Sequence, residues 1–382
     1  MEENINEKYM RMAIELAKKG AGGVNPNPMV GAVVVKNGEV IGRGYHKFFG
    51  ESHAEVYALE EAGKEAEGAI IYVTLEPCSH YGKTPPCAKK IIDMGIKKCF
   101  IGSSDPNPKV AGRGVAMLKE AGIEVVENVL KEECDEVNQV FFKYIKTKIP
   151  YLFVKCGITL DGKIALSNGI SKWITNSIAR EKVQYYRNKF MGIMVGINTV
   201  LTDNPSLTAR IENGVNPFRI IVDPHLKINE YCKVVKNNED EKTVIITSQK
   251  NLFAEDAENT EIQIKQKRLA EENKVKFIFI DGEKFSFRKM LEEIGKSGID
   301  SVLLEGGETL ISLAFEENAI DGGEIFIANK ILGDSSAKPF ISGFVREKME
   351  EAVQLTNVRN NIYGENVGME FYFKKYNEME QD

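Results

Sequence analysis

Residues 76–87 read EPCSHYGKTPPC, a segment with two cysteines and three prolines that lies between a strand pattern and a helix pattern. The strand pattern before it is AIIYVTLE, and the helix pattern PPCAKKIIDMG begins at its end. Upstream, residues 53–55 read HAE at the start of another helix pattern. The two thiols, Cys78 and Cys87, could form a disulfide, ligate a metal or fill a core, and the surrounding sequence distinguishes these alternatives.

The composition is that of a globular chain large enough to fold without disulfides. It has 382 residues, of which 43% are hydrophobic and 28% charged, and at about 100 to 200 residues per domain this length predicts two domains. The N-terminal sequence begins directly with an amphipathic helix pattern, and no apolar run approaches the roughly 18 residues of a membrane span. We therefore expect a cytoplasmic protein with no membrane partner, in which the six cysteines are thiols or metal ligands. The formal net charge of -6 argues against a large nucleic-acid-binding face.

The first part of the chain alternates strand and helix patterns. After an opening helix, MVGAVVVKNGEVIGRGYHK is two apolar runs joined by Asn37-Gly38, a strong hairpin signal. Helix patterns from His53, from about Pro85 and around GVAMLKEAG then alternate with the strands AIIYVTLE, KKCFIGSS and IEVVE. This order predicts a three-layer α/β/α domain over residues 1–147. A polar helix over about 131–146 leads to its boundary at KIP, residues 148–150.

The second half, residues 148–382, repeats this alternation and is predicted to form a second α/β domain. Its strand patterns include PYLFVKCGITL, GIMVGINTV, FRIIVD, TVIITS, VKFIFID and DSVLLEGG. Helix patterns surround SIAREKVQYYRNKF, FRKMLEEIGKSG and TLISLAFEEN, and a further strand lies near EIFIANKIL. No G-x-G-x-x-G follows any of these strands, so a nicotinamide cofactor would need another type of phosphate site.

The residues His53, Cys78 and Cys87 together have the composition of a catalytic zinc site. One His nitrogen and two Cys sulfurs supply three corners of a tetrahedron and leave the fourth for water. A helix start lowers the cost of deprotonating Cys87. Glu55 would stand beside the metal without ligating it and could move protons to and from the bound water. Each residue taken singly could equally be a buried small side chain or a helix cap, and the combination favours the metal.

The same residues resemble a known family. HAE at 53–55 followed by EPCSHYGKTPPC at 76–87 is similar to the deaminase domain of the bacterial bifunctional riboflavin-biosynthesis deaminase/reductase. PNPMVGAVVV from Pro26 and DPNPKVAGRG from Asp105 are similar to its flanking motifs. The resemblance implies a cytidine-deaminase-like fold, zinc bound by the three residues above and Glu55 as the catalytic residue. It also implies that the substrate contacts Asn27, His46, His80 and Lys83.

Five stretches of the second half resemble, in order, the reductase domain of the same family, whose fold is similar to dihydrofolate reductase. They are VKCGITLDGKIAL, SKWIT, VGINTVLTDNPSLTAR, RIIVDP and LLEGGETL. The resemblance implies that NADPH contacts Gly157, Trp173, Thr199, Asp203, Gly307, Glu308, Thr309, Leu310, Ile311, Ser312 and Leu313. It implies that the substrate contacts Ser171, Arg187, Leu207, Arg210 and Glu305. Arginine suits a ribose phosphate, and either Lys155 or Lys163 could assist opening of the sugar ring.

The resemblance implies two consecutive reactions on a phosphoribosylated pyrimidine. The first is zinc-dependent deamination of 2,5-diamino-6-(5-phosphoribosylamino)pyrimidin-4-one, and the second is NADPH-dependent reduction of the deaminated ribosylamino group. It also implies a homo-oligomer that pairs through the reductase domain. Two other classes of protein remain as alternatives, namely a nucleic-acid-modifying deaminase, which the acidic composition disfavours, and a non-catalytic zinc-stabilised binding protein. A His/Cys/Cys site would also accept other soft divalent ions.

Overall fold

The computed structural model describes residues 4–81, 85–107, 111–252, 260–282 and 285–373. They fall into two compact units, one that ends at Thr147 and one that begins at Lys148. Within these described ranges, none of the helices combines the length and the apolar character needed to cross a bilayer.

The first unit contains six α-helices, one short 3-10 helix (Gly63–Ala66) and five strands among its described residues. The helices are α1 (Ile5–Lys18), α2 (Ala54–Ala62), α3 (Cys87–Asp93), α4 (Arg113–Glu120), α5 (Lys131–Val137) and α6 (Gln139–Thr147). The strands are β1 (Gly31–Lys36), β2 (Glu39–Tyr45), β3 (Ile70–Leu75), β4 (Lys98–Ser103) and β5 (Glu124–Val126).

The strands form one mixed sheet in the order β2-β1-β3-β4-β5. β1 pairs antiparallel with β2 and β3, and β3, β4 and β5 are parallel. Helices α1 and α5 pack on one face, where Val33, Val35, Tyr72 and Phe100 form a core with them. Helices α2, α3 and α4 form the other layer. The predicted three-layer α/β/α arrangement is confirmed.

Local sequence explains the hairpin of β1 and β2 and the packing of α2 against it. The predicted hairpin turn is present, with Asn37 and Gly38 at positive φ between paired Lys36 and Glu39. Helix α2 lies directly on β2, because a Cβ on Gly44 would come within 2.1 Å of the Ala54 carbonyl oxygen. This close approach places the start of α2, with its HAE sequence, against the sheet.

The predicted helix over about 131–146 is two helices, α5 and α6, separated at Asn138. Asn138 is 2% exposed and makes two hydrogen bonds to the backbone of Met29. Its Oδ1 accepts from the Met29 amide at 2.8 Å, and its Nδ2 donates to the Met29 carbonyl at 3.0 Å. A buried tertiary contact therefore interrupts a helix that the local sequence pattern continues.

The second unit is built on a larger sheet. Its strands are β6 (Tyr151–Thr159), β7 (Lys163–Ala165), β8 (Gly192–Gly196), β9 (Phe218–Val222), β10 (Thr243–Ser248), β11 (Lys276–Ile280), β12 (Ser301–Leu304), β13 (Gly322–Ala328), β14 (Lys338–Pro339), β15 (Arg359–Tyr363) and β16 (Asn366–Tyr372). Its helices are α7 (Ser177–Lys189), α8 (Ile197–Asp203), α9 (Lys233–Lys236), α10 (Glu261–Asn273), α11 (Phe287–Lys296) and α12 (Glu308–Glu316).

Nine of these strands form one sheet in the order β11-β10-β9-β8-β12-β6-β13-β16-β15. The first seven are mutually parallel, and the hairpin β15–β16 is added antiparallel at one edge. Buried Val, Ile, Leu and Met side chains from the parallel strands pack with α11 and α12 in one core. The carboxyl ends of β6, β8 and β12 are neighbours, and ligand sites of open α/β sheets lie at such an edge.

Candidate active sites

In the first unit, three potential metal ligands converge from three different segments. His53 is the N-cap of α2, Cys78 follows β3 by three residues, and Cys87 is the first residue of α3. The His53 Nδ1 atom lies 3.3 Å from the Cys87 sulfur and 3.6 Å from the Cys78 sulfur. All three ligand atoms lie within 4.8 Å of one another.

These distances fit a tetrahedral zinc ion. With Zn–S of about 2.3 Å and Zn–N of about 2.0 to 2.1 Å, tetrahedral angles separate a sulfur from a nitrogen ligand by about 3.6 Å. The Cys87 amide also donates to the Cys78 sulfur at 3.2 Å, as expected for a thiolate at a helix start. The donor atoms and their spacing therefore suit zinc without rearrangement.

The pKa values within this cluster also indicate a metal site. The hydrogen bond with Cys78 raises the pKa of His53 to about 9. Hydrogen bonds from Cys87 and His53 lower the pKa of Cys78 to about 4, against the effect of burial, whereas the pKa of Cys87 is raised by its hydrogen bond to Cys78 and by burial. A metal ion would displace the protons that these groups share.

Glu55 is buried beside this cluster, in the first turn of α2. It is 3% exposed, and none of the described residues donates a hydrogen bond to its Oε2 atom. Burial raises the pKa of its carboxyl to about 7. An unpartnered buried carboxylate oxygen is costly in a folded protein, and a proton-transfer role accounts for its presence here.

Glu76 is a functional candidate that the sequence analysis did not identify. Its carboxylate is 4% exposed and accepts the amides of Gly112 at 3.0 Å, Gly114 at 3.0 Å and Val115 at 3.3 Å. A Cβ on Gly114 would come within 2.0 Å of the Pro77 carbonyl oxygen. These contacts fix the backbone two residues before Cys78. No sequence pattern indicated this contact, because its donors are backbone amides 36, 38 and 39 residues away in the chain.

The predicted pyrimidine contacts have different environments. Asn27 is half-buried, and its Nδ2 atom lies 3.3 Å from the Nε2 atom of His46. His46 is 2% exposed and packs edge-on against His53, with ring centres 5.4 Å apart, and burial lowers its pKa. His80 is exposed. Lys83 lies outside the described residues.

In the second unit, three charged side chains meet where β12 ends beside the middle of β6. Arg187, on α7, donates to both carboxylate oxygens of Glu305, from Nε at 2.8 Å and from Nη2 at 2.9 Å. Lys155, on β6, has its Nζ atom 3.8 Å from the same carboxylate. Burial alone would raise the pKa of Glu305, but the charges of Arg187 and Lys155 outweigh it and hold the pKa at about 2.

This arrangement bears on the predicted role of Arg187 and on the choice between Lys155 and Lys163. Arg187 uses two of its donors on Glu305, so that less of its guanidinium remains for the ribose phosphate suggested by the sequence. Lys163 donates to the Ala337 carbonyl at 3.1 Å, whereas Lys155 reaches the buried carboxylate. Arg210 is exposed and close enough to lower the pKa of Glu305 further.

Seven of the predicted NADPH contacts, residues 307–313, lie at the start of α12, for which Gly307 is the N-cap. Leu310 and Ile311 are 8% and 0% exposed and pack in the core, so only their backbone can face a ligand. Ser312 accepts a hydrogen bond from the Ser342 amide, and the Ser342 hydroxyl donates to Glu308. Thr309 is exposed and Leu313 is half-buried.

The other predicted contacts of this unit lie on separate elements. Gly157 is in β6, and Thr199 and Asp203 are in α8. Trp173 is 65% exposed, with the Arg180 guanidinium 4.6 Å from its ring centre. Ser171 is half-buried in the loop before α7, and Leu207 is 3% exposed with a positive φ of 52°.

Comparison with known proteins assigns each half to a family. Residues 3–103 match the zinc-binding region of cytidine and deoxycytidylate deaminases, and residues 150–367 match the RibD C-terminal domain. The riboflavin biosynthesis protein RibD of Actinobacillus pleuropneumoniae is 44% identical over 95% of this chain and 94% of its own length. That of Escherichia coli is 35% identical over 91% and 94% of the respective chains.

Solved structures support the same family assignment. RibD of Acinetobacter baumannii superposes with a TM-score of 0.85 at 34% identity, covering 96% of this chain and 98% of that one. A diaminohydroxyphosphoribosylaminopyrimidine deaminase/5-amino-6-(5-phosphoribosylamino)uracil reductase from Thermotoga maritima gives a TM-score of 0.83 at 38% identity, with the same coverage. With full-length similarity to these proteins, a zinc-binding deaminase region and a RibD reductase region, the chain belongs to the RibD family of bifunctional riboflavin-biosynthesis deaminase/reductases.

Proposed function

We propose that the two units catalyse consecutive steps on one phosphoribosylated pyrimidine. The first unit deaminates 2,5-diamino-6-(5-phosphoribosylamino)pyrimidin-4-one, and the second reduces 5-amino-6-(5-phosphoribosylamino)uracil to its ribitylamino product with NADPH. The observation that carries the proposal is the buried Oε2 atom of Glu55, which has no hydrogen-bond partner among the described residues and belongs to a side chain beside the cluster of His53, Cys78 and Cys87. Because these thiols must stay reduced to bind metal, we place the reaction in the cytoplasm.

In the deaminase site, His53, Cys78 and Cys87 would hold zinc. Bound zinc supplies a Lewis acid that brings the pKa of water near neutrality. Glu55 accepts a proton from the attacking water and delivers it to the departing amine, and its burial, which raises its pKa to about 7, suits both transfers. His53 and Glu55 share the start of α2, so the helix that supplies one metal ligand also positions the proton acceptor.

In the reductase site, the hydride comes from the cofactor and the protein supplies position and charge. The free amides at the start of α12 are suited to the phosphates of NADPH, and Gly157, Trp173, Thr199 and Asp203 would complete its contacts. The carboxylate of Glu305, held by Arg187 and Lys155, faces the substrate with Ser171, Leu207 and Arg210. Lys155, rather than Lys163, is the lysine placed to act on the sugar.

A coupled assay tests the proposal. The zinc-loaded protein is expected to release ammonia from the diaminopyrimidine substrate and then to oxidise NADPH. After zinc is removed with a chelator, ammonia release should cease while reduction of pre-deaminated substrate continues, since no residue of the metal cluster lies in the second unit. Ammonia release and absorbance at the NADPH band are followed separately. Zinc-loaded protein that releases no ammonia would refute the deaminase assignment.

We also propose that the protein is a homo-oligomer that pairs through the reductase unit. Strand β15 is an edge strand and carries Ile362, which is 71% exposed. Ile331 and Leu160 are 69% and 65% exposed and adjoin each other, because the Leu160 amide bonds the Lys330 carbonyl at 2.7 Å. Ile362 thus lies at an open sheet edge, whereas Leu160 and Ile331 follow the ends of the interior strands β6 and β13. Exposed apolar side chains of both kinds are typical of subunit contacts.

Sedimentation equilibrium at micromolar concentration is expected to give a dimer or a larger assembly. Replacing Ile331 with aspartate, which places a charge among these side chains, should shift the equilibrium toward monomer without a change in ammonia release. A wild-type protein that sediments as a monomer at all concentrations would rule out the pairing.

A further inference from the structure

The imidazole of His46 uses both of its nitrogens on protein partners. Nδ1 lies 3.1 Å from the Ser52 carbonyl oxygen, and Nε2 lies 3.3 Å from Nδ2 of Asn27. A carbonyl oxygen can only accept, so Nδ1 carries the proton of the neutral ring. Nε2 is then an acceptor, and its partner must be the amide nitrogen of Asn27, not the amide oxygen.

The backbone on both sides of this contact is held by hydrogen bonds. The Asn27 amide donates to the Val24 carbonyl at 2.8 Å, and the His46 amide donates to the Val30 carbonyl at 3.0 Å. Met29 is fixed from the other side by Asn138. With the backbone held at these points, His46 favours one orientation of the Asn27 amide, because exchanging its oxygen and nitrogen would place an acceptor against the acceptor Nε2.

The orientation has a chemical consequence for the adjoining site. Asn27 is half-buried, and none of the described residues donates a hydrogen bond to its Oδ1 atom. His46 packs against the zinc-ligand candidate His53, which places Asn27 at the margin of the deaminase site. The Oδ1 atom is therefore an acceptor available to a ligand that carries an N–H group.

We propose that His46 is a positioning residue that holds Asn27 with its amide oxygen toward the pyrimidine, where it accepts a hydrogen bond from a ring N–H or amino group. This inference rests on the proposed deaminase function and refines its specificity. It differs from a direct contact between His46 and substrate, because a ring that is 2% exposed with both nitrogens engaged has little left to offer.

A double-mutant cycle on zinc-loaded protein tests whether His46 acts through Asn27. The variants are His46→Gln, Asn27→Ala and the combination, and the quantity is kcat/KM for ammonia release. Each single change is expected to lower kcat/KM by about tenfold or more, mainly through KM, as for the loss of one polar contact to substrate. The double variant should be no slower than Asn27→Ala alone. Effects that multiply would show that His46 acts independently and would overturn the inference.

Two further measurements distinguish a failure of this inference from misfolding of a variant and from a failure of the proposed deaminase function. Zinc content and reduction of pre-deaminated substrate should equal wild type in all three variants, and a wild type without ammonia release would count against the deaminase assignment instead. The tautomer of His46 can be determined on the wild-type protein by ¹⁵N NMR, because the chain has only four histidines and their ring nitrogens can be resolved. We expect the Nδ1–H form of His46, and an Nε2–H form would overturn the inference regardless of the kinetics.

Discussion

Replacing Glu55 with glutamine is expected to lower ammonia release by about 10²- to 10⁴-fold, the range attributed to a single general acid–base group. Glutamine has nearly the same shape but cannot accept and return a proton. The carboxyl is buried and its pKa is raised to about 7 by that burial, so the neutral amide should fit the site without loss of folding. The rate is measured as ammonia release from zinc-loaded protein.

The control for this variant is Glu60→Gln. Glu60 lies on the same helix, α2, but is exposed, so its neutralisation should leave ammonia release within about twofold of wild type, in keeping with the small effects of exposed charges. Glu55→Gln should retain its zinc and reduce pre-deaminated substrate at the wild-type rate. Ammonia release that persists in Glu55→Gln would assign proton transfer to another group.

The metal cluster could be predicted from sequence because its residues are close to helix starts and strand ends that local patterns already define. His53 and Glu55 share one helix start, and Cys87 begins another. Glu76 could not be predicted in the same way, because its partners at 112–115 are distant in the chain and the contact is made by backbone amides. Any residue type can donate a backbone N–H, so the side chains at 112–115 do not indicate that their amides bind Glu76.

The fold was predictable to a similar extent. The alternation of strand and helix patterns gave the layers of the first unit, and Asn37-Gly38 gave its hairpin. The break between α5 and α6 was missed because it depends on the tertiary contact of Asn138 with Met29. The hairpin β15–β16 was also missed, since residues 359–363 read RNNIY and are mostly exposed, which leaves no apolar alternation to detect.

In the reductase site, the ion pair between Arg187 and Glu305 could not be predicted from sequence either. The sequence suggested that Arg187 and Glu305 both face the substrate, but not that they bind each other. Their pairing occurs because α7 brings Arg187 to the end of β12, 118 residues away in the chain. Whether a cation contacts a ligand or a neighbouring carboxylate depends on this packing, which residue types alone do not determine.

Arg187→Leu is expected to lower the free energy of unfolding of the reductase unit by about 3 to 5 kcal/mol, because it leaves Glu305 as a buried charge with only Lys155 and the exposed Arg210 to balance it. NADPH oxidation should fall with it. Unfolding is followed by circular dichroism, because Trp173, the single tryptophan, is 65% exposed and its fluorescence would change little. Arg288→Leu is the matched control, since Arg288 pairs with Glu292 at the surface with 75% of its side chain exposed, and its loss should cost less than about 1 kcal/mol.

The pH dependence provides a second, independent check on this ion pair. The folded pKa of Glu305 is about 2, below the value of about 4.3 expected for an unfolded chain. A depressed carboxyl pKa stabilises the fold above the unfolded value, and this contribution is lost as the pH falls from about 4.3 toward 2. The shift corresponds to about 3 kcal/mol. The difference in unfolding free energy between wild type and Arg187→Leu should therefore be largest near pH 7 and narrow as the pH is lowered, whereas Arg288→Leu should show no such narrowing. A difference that stays constant down to pH 2 would mean that the cost of Arg187→Leu comes from lost packing of the arginine side chain and not from its charge.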